Sequence, residues 1–454
     1  MNWRQTFILG CALALSGCTP SAVGRAWKRI HAGDLPGARR TVLVGLHRHP
    51  TSLDLWVMRL RVGLLGKDFK DAGLSYLKIR KRASRRERRR ATDMLVAQTL
   101  WIALGTPRFK LRAVRLARDM RLPGLEDRIE PLLDDPNPLV RVLAAGALRK
   151  KNKTARHLIR SLAFHASPAV RREAVAFVPP PWDQEAWRIL TKLLSDPDPE
   201  VRRAAAAVCG HAKGHENRAH AVSLLIEVLS DPVGMVRAEA ASTLRRWRRS
   251  GSWMLLARTD PHLGVRLASV GSSPKDLRVV MQGSDPYLAL RAAVRLWNRG
   301  DHRSDQVLVR WARDRQWSVR AALCNAAGSM RGSSVAKKVV RSLLTDPHPW
   351  VRLSACEAAF HLKVARRLAR TTARALAQRP ADATAVEAAA VLARWDNDQS
   401  ILEAMASKVG PWQISAIRHL GPFRSSVGAV VDAWAKGPWP VRLVAAEVLR
   451  RHMR

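Results

Sequence analysis

The chain has 454 residues, and its 47% apolar fraction rests on Ala, Leu and Val with only two Tyr and seven Phe, a balance that argues against sheets and for close-packed helices. Its 79 Lys plus Arg, 62 of them arginine, against 37 Asp plus Glu give a net charge of +42. Such a field draws anions without naming one, and a GC-rich genome, which inflates Arg and Ala together, is an alternative source of the excess.

The N-terminus opens with one basic residue, Arg4, followed by an apolar run from Thr6 to Leu15 that ends in Leu15-Ser16-Gly17-Cys18. The run is too short to cross a bilayer as a permanent helix and reads as a secretory signal over residues 1–17. Small residues before Cys18 resemble the lipobox of bacterial lipoproteins; an uncleaved anchor or a chance Cys is the alternative. The resemblance implies cleavage before Cys18 and lipidation of that residue, with each buried CH2 of the acyl chains adding about 0.8 kcal/mol to anchoring. It also implies outer-membrane attachment facing the periplasm, because Thr19 stands where Asp would retain the protein at the inner membrane. Loss of Arg4 leaves a mature charge of +41.

Cys11 leaves with the signal, so Cys209, Cys324 and Cys356 remain in the body. Cys324 and Cys356 each follow a repeat arginine by four residues and stack at equivalent positions of adjacent repeats. Packed helix axes lie about 8–10 Å apart, beyond ordinary disulfide reach, which predicts buried thiols.

Residues 18–24 read as a polar tether and 25–77 as helical hairpins. Ala32-Gly-Asp-Leu-Pro-Gly-Ala38 aligns with Leu65-Gly-Lys-Asp-Phe-Lys-Asp-Ala72, with Pro50 and Trp56 between them. Trp56, Leu60, Gly66, Phe69 and Ala72 fall where tetratricopeptide repeats place aromatic, Leu, Gly, aromatic and small residues, so the segment resembles a pair of those hairpins; plain helical capping repeats are the alternative. Residues 78–90 carry nine basic residues and one acid, a density that disfavours a free helix and predicts an exposed junction. There Arg85, Arg86, Arg88, Arg89 and Arg90 are candidate contacts for phosphates or headgroups, against a solvated helix face.

From residue 91 to 454 one unit recurs, clearest as Ser195-Asp-Pro-Asp-Pro-Glu-Val-Arg-Arg-Ala-Ala-Ala-Ala-Val208. Its Val-Arg mark, or a close variant, places arginines at Arg141, Arg171, Arg202, Arg237, Arg266, Arg291, Arg320 and Arg352, and with weaker copies to the C-terminus about eleven units are counted. In each, a first helix stops at Ser-Asp-Pro or its equivalent because the residue before Pro disfavours α. Asp198 caps the second helix with Pro199 at its first position, and Val201, Ala204, Ala205 and Val208 form the predicted buried stripe. The pattern resembles HEAT repeats, in the short form also found in phycobilin lyase-like proteins. That resemblance implies a right-handed α-solenoid in which turn acids and repeat arginines, here Asp135, Arg141, Asp196, Arg202, Asp231, Arg237, Asp346 and Arg352, form an inter-repeat structural ladder. Ser167-Pro168, which lacks the turn Asp, and Val178-Pro-Pro-Pro-Trp182 predict local irregularity.

No phosphate loop, zinc motif or nucleophile-base pair is present, which argues against an enzyme, a cofactor or a metal. His211, His215 and His220 read as an exposed inter-helix loop, since Gly214 breaks the helix that would align them. Arg245-Arg-Trp-Arg-Arg249 (Arg245, Arg246, Trp247, Arg248, Arg249) sets an indole among cations, as a stacking or anchoring site or as inter-repeat packing. The sequence is read as a non-catalytic, lipid-anchored envelope scaffold, monomeric in itself, that binds a protein or anionic polymer. A basic solenoid on nucleic acid, disfavoured by the export signal, and a lyase-like HEAT enzyme are the alternatives.

Overall fold

The structure, a computed structural model, describes residues 21–120, 124–178, 183–247, 253–269, 274–379 and 383–451. Among them are twenty-eight α-helices, three short 3-10 segments and no strand. The signal segment, Cys18, the triple proline at 179–181 with Trp182, Arg248 and Arg249 lie outside the described residues.

Two compact units emerge: Met1–Ala155 with Asp398–Arg454, and Arg156–Asn397. In the second, the second helices of successive hairpins pack each on the next: Pro168–Val175, Pro199–Cys209, Gly234–Arg246, Leu263–Ser269, Pro286–Trp297, Trp317–Ser329, Pro349–Leu362 and Ala383–Asp396. The local chemistry follows the expected unit. Asp198 accepts from the Glu200 and Val201 amides with Pro199 as first helical residue. The buried stripe is Val201, Ala205, Ala206, Val208 and Cys209, so Ala206 takes the core place expected for Ala204, which is half-buried. The irregular repeat is repaired by its own turn: His165 Nδ1 accepts from the Ser167 amide at 3.0 Å, as Asp196 accepts from Asp198 elsewhere.

The first unit begins with the hairpins Ser21–His31 with Leu35–Arg48 and Leu53–Leu65 with Phe69–Arg82. The first helix starts inside the stretch expected to be tether, because Ala22, Val23 and Ala26 are apolar and pack into the core with Val42 and Leu46. The second hairpin closes tightly at Gly63, where an added Cβ would sit 3.1 Å from the Ala72 amide nitrogen. The run Arg85–Arg90 forms the first turns of the helix Arg85–Leu104, the solvated helix face weighed as the alternative to a junction without helix. A capping box between Ser84 and Glu87 starts it, and burial of most of Ala91–Leu104 outweighs the like-charge repulsion.

Helices Val427–Lys436 and Trp439–Arg451 pack against Phe69–Arg82 and Arg85–Leu104. Gly73 permits the approach, since an added Cβ there would lie 3.3 Å from Ala435 Cβ and Val431 Cγ1. Trp434, fully buried, donates its indole N–H to Thr99 Oγ1 at 2.9 Å. Phe69 meets Trp434 edge-on at 5.4 Å and Trp439 at 5.8 Å, and Arg450 pairs with Asp93.

Candidate functional site

Charge in this chain divides into cations that the fold uses and cations that it leaves over. The ladder uses five in the second unit. Each of these arginines is the fourth residue of its helix and points three nitrogens in two directions. Arg202 donates from Nε and one terminal nitrogen to Asp231 of the next repeat at 2.6 and 3.0 Å, and from the other to the Asp196 and Pro197 carbonyls of its own turn at 2.8 and 3.1 Å. Arg171 to Asp196, Arg237 to Asp260, Arg266 to Asp285 and Arg320 to Asp346 repeat the arrangement. The guanidinium therefore staples its own turn to its neighbour, and a bidentate fork suits that task where an ammonium does not. In the first unit Asp135 takes Lys110 Nζ at 2.6 Å, while Arg141 holds the Asp135 and Pro136 carbonyls. Arg352 likewise holds the Asp346 and Pro347 carbonyls. Burial opposes ionisation of Asp196, Asp231, Asp260 and Asp346. The arginine hydrogen bonds, one backbone amide each and the arginine charge outweigh it and hold all four carboxyls below the usual range.

Arg291 does not belong to this ladder, although the spacing of the Val-Arg mark includes it. Its repeat is short: Asp285 itself caps the helix Pro286–Trp297, whereas Asp196 stands two residues before the cap Asp198. The fourth helical residue is then Ala289, fully buried, and Arg291 turns to another face. There it meets Arg245 and Arg295. Burial first, then the charges of those two arginines, push the Arg291 guanidinium down to about 10. Burial, Arg245 and Arg299 lower Arg295 in the same way. No carboxylate is among the charges that shift Arg291. Sequence reasoning singled out Arg245 but not the two arginines that join it from another repeat.

The other expected contacts are dispersed. Arg85, Arg86, Arg89 and Arg90 are exposed and Arg88 is half-buried, all at a helix N-terminus where the backbone dipole adds positive potential. Arg246 is partly spent on Thr243 Oγ1 at 2.7 Å and on Glu239 at 3.6 Å, and Trp247 is the C-terminal cap of its helix. His215 and His220 are not in a loop. Gly214, at φ +85°, starts the helix His215–Val228 that carries both, with His220 edge-on to Trp187 at 4.7 Å. Among the described residues no group of three or more His, Cys, Asp or Glu is placed to hold a metal ion, and no helix is long and apolar enough to cross a membrane. Cys209, Cys324 and Cys356 are free and buried, as expected.

Residues 183–270 and 274–359 match the model of HEAT repeats. No curated protein sequence matches the chain. Similar solved structures include human deoxyhypusine hydroxylase, at 20% identity over 62% of this chain and 99% of that one, TM-score 0.26. They also include the myosin chaperone UNC-45 from C. elegans, at 12% over 95% and 62%, TM-score 0.33, and Kap95p from its RanGDP complex, at 12% over 100% and 66%, TM-score 0.35. At these identities the likeness concerns the helical-repeat fold alone. The chain is an all-α protein that carries HEAT repeats.

Proposed function

We propose that this HEAT-repeat chain is a non-catalytic scaffold, anchored through lipid on Cys18 at the outer membrane facing the periplasm, that binds an acidic protein or another anionic polymer of the cell envelope. The observation that carries the binding half is the division of charge. The turn aspartates are consumed inside the ladder, so they do not screen the exposed arginines of the Arg85–Arg90 run or the like charges of Arg245 and Arg291. With +42 overall, polyanions are attracted from a distance and held by several weak contacts at once. Anchoring keeps the scaffold beside its partner and raises the effective concentration.

Crosslinking and pulldown of the lipidated protein from envelopes at moderate salt tests partner and compartment together. Recovery of one acidic envelope component, lost when Arg85, Arg86, Arg89 and Arg90 are changed to Glu, supports the reading. Palmitate labelling and detergent-phase partitioning that persist in Cys18→Ala defeat the anchor.

A further inference from the structure

A second concentration of cations lies in the repeats around residue 360, where the exposed Arg331, Lys337, Lys363 and Arg366 line an open cavity of about 490 Å³. Arg331 and Lys337 reach it from one hairpin, Lys363, Arg366 and Arg370 from the next, and no carboxylate is among the lining residues. Arg370 shares Asp396 outside the lining at 2.5 Å, yet its Nε is buried without a hydrogen-bond partner among the described residues. Phe360 and Trp395 form an aromatic corner, their ring centroids 5.6 Å apart and tilted by 55°. Phe360 is 38% exposed, an unusual state for a large ring beside a cavity.

The backbone here is strained in the service of that placement. Lys363 ends the helix Pro349–Leu362 at φ 54° and Ala365 precedes Arg366–Ala377 at φ 45°, both left-handed without being glycine. Such a conformation disfavours L side chains and persists only where the surroundings impose it. The turn they make holds Lys363 and Arg366 at the cavity wall.

With Arg370 paired to Asp396, four formal cations remain around the hollow and draw a multivalent anion between them. An acidic peptide places same-face carboxylates about 7 Å apart along an extended chain and spreads its charge beyond such a space. Phosphate groups pack two or more charges within it and accept several N–H donors each. The aromatic corner offers faces to a flat group. We propose that this cavity binds a phosphorylated ring compound, a nucleotide or a phosphosugar, with the phosphates among Arg331, Lys337, Lys363 and Arg366 and the ring against Phe360 and Trp395. The site goes beyond the scaffold reading, and its failure leaves that reading standing.

The test is titration calorimetry of the full chain at about 0.15 M salt, where charges more than about 8 Å apart are screened, with ADP, glucose 1,6-bisphosphate, pyrophosphate and an acidic heptapeptide as separate ligands. ADP or the bisphosphate binds about tenfold or more tightly than pyrophosphate, and the tighter of the two identifies the source. Arg366→Glu, and separately Lys337→Glu, each lower that affinity about tenfold, with unchanged melting curves showing an intact fold. Trp395→Ala reduces the ring compound to the pyrophosphate level and leaves pyrophosphate unchanged. Ring compounds that bind no better than pyrophosphate, a heptapeptide that binds tighter than both, or affinities indifferent to these variants overturn the proposal.

Discussion

The indole N–H of Trp434 meets the hydroxyl of Thr99 at 2.9 Å across 335 positions of sequence. Thr99 is itself buried and passes its own proton to the Leu95 carbonyl at 2.7 Å, so donor and acceptor are both satisfied. The last two helices are thus core to the first unit. Arg442, at the ladder position of the last repeat, stacks its guanidinium over Phe69 at 4.1 Å from the ring centroid. Arg442 thus meets an aromatic face where the ladder arginines meet a carboxylate.

Trp434→Ala therefore costs the first unit about 3–5 kcal/mol. Thr99→Val, which keeps the volume but leaves the indole N–H unpaired, costs about 1–3 kcal/mol. Urea unfolding followed by far-UV circular dichroism reads both. A chain ending at Asn397 exposes Phe69 and Thr99 and loses the first unit's transition; survival of that transition would contradict the packing described.

In the ladder, Arg202→Ala leaves Asp231, only 6% exposed at its side chain, without its fork. The expected loss is about 3 kcal/mol, the cost of breaking a largely buried pair by removing one partner. Arg203→Ala is the control: its pair with Glu200 is about 40% exposed on both sides, so the change stays within about 0.5 kcal/mol. Similar losses for both variants would show that the ladder is surface decoration.

The same carboxylates set the acid limit. Asp196, Asp231, Asp260 and Asp346 are held below the usual value in the folded chain. Their unfolded forms bind protons first as pH falls, so their contribution is complete above about pH 4 and is lost as pH drops through the lower folded values. Acid titration of the second unit then shows a transition below about pH 4. Arg202→Gln, which lets Asp231 return toward its ordinary value, reduces the stability advantage that the wild type gains between that window and neutral pH.

What the sequence reading captured and missed divides by range. Asp198, Pro199, Arg202 and the buried Val201 were legible because turn, cap and stripe all lie within a dozen residues and recur. That the ladder runs between repeats follows from the resemblance, but that each arginine reaches forward, Arg202 to Asp231, depends on how the repeats stack. Arg291 carries the spacing of the Val-Arg mark yet leaves the ladder, because the helix start decides the face and the cap of that helix, Asp285, falls two residues early. The Arg85–Arg90 run was judged on local repulsion, while the helix it begins is decided by the buried residues after Ala91. The cavity near Phe360 draws on stretches at 331–337, 360–370 and 395, which no local pattern connects.

The three buried cysteines make a chemical probe of the repeats. Burial pushes the Cys209 and Cys356 thiols up to about 12 and raises Cys324 as well, and Cys356 Sγ donates to the Ala369 carbonyl at 3.4 Å. Thiolate is the reactive form. In a chain carrying Cys11→Ser and Cys18→Ser, a thiol reagent at pH 8 labels none of the three in the native state and all three in urea. Rapid native labelling of Cys324 or Cys356 would place those helices at the surface.

The Arg245, Arg291 and Arg295 group carries a prediction of opposite sign to the ladder. Arg291 is half-buried among like charges, so Arg291→Leu removes repulsion and a desolvation cost together. Discounted for solvent screening, the gain is about 0.5–1 kcal/mol, or about 1–4 °C in melting temperature for a body of this size. A lower melting point for Arg291→Leu in thermal unfolding would mean that Arg291 is held by a partner.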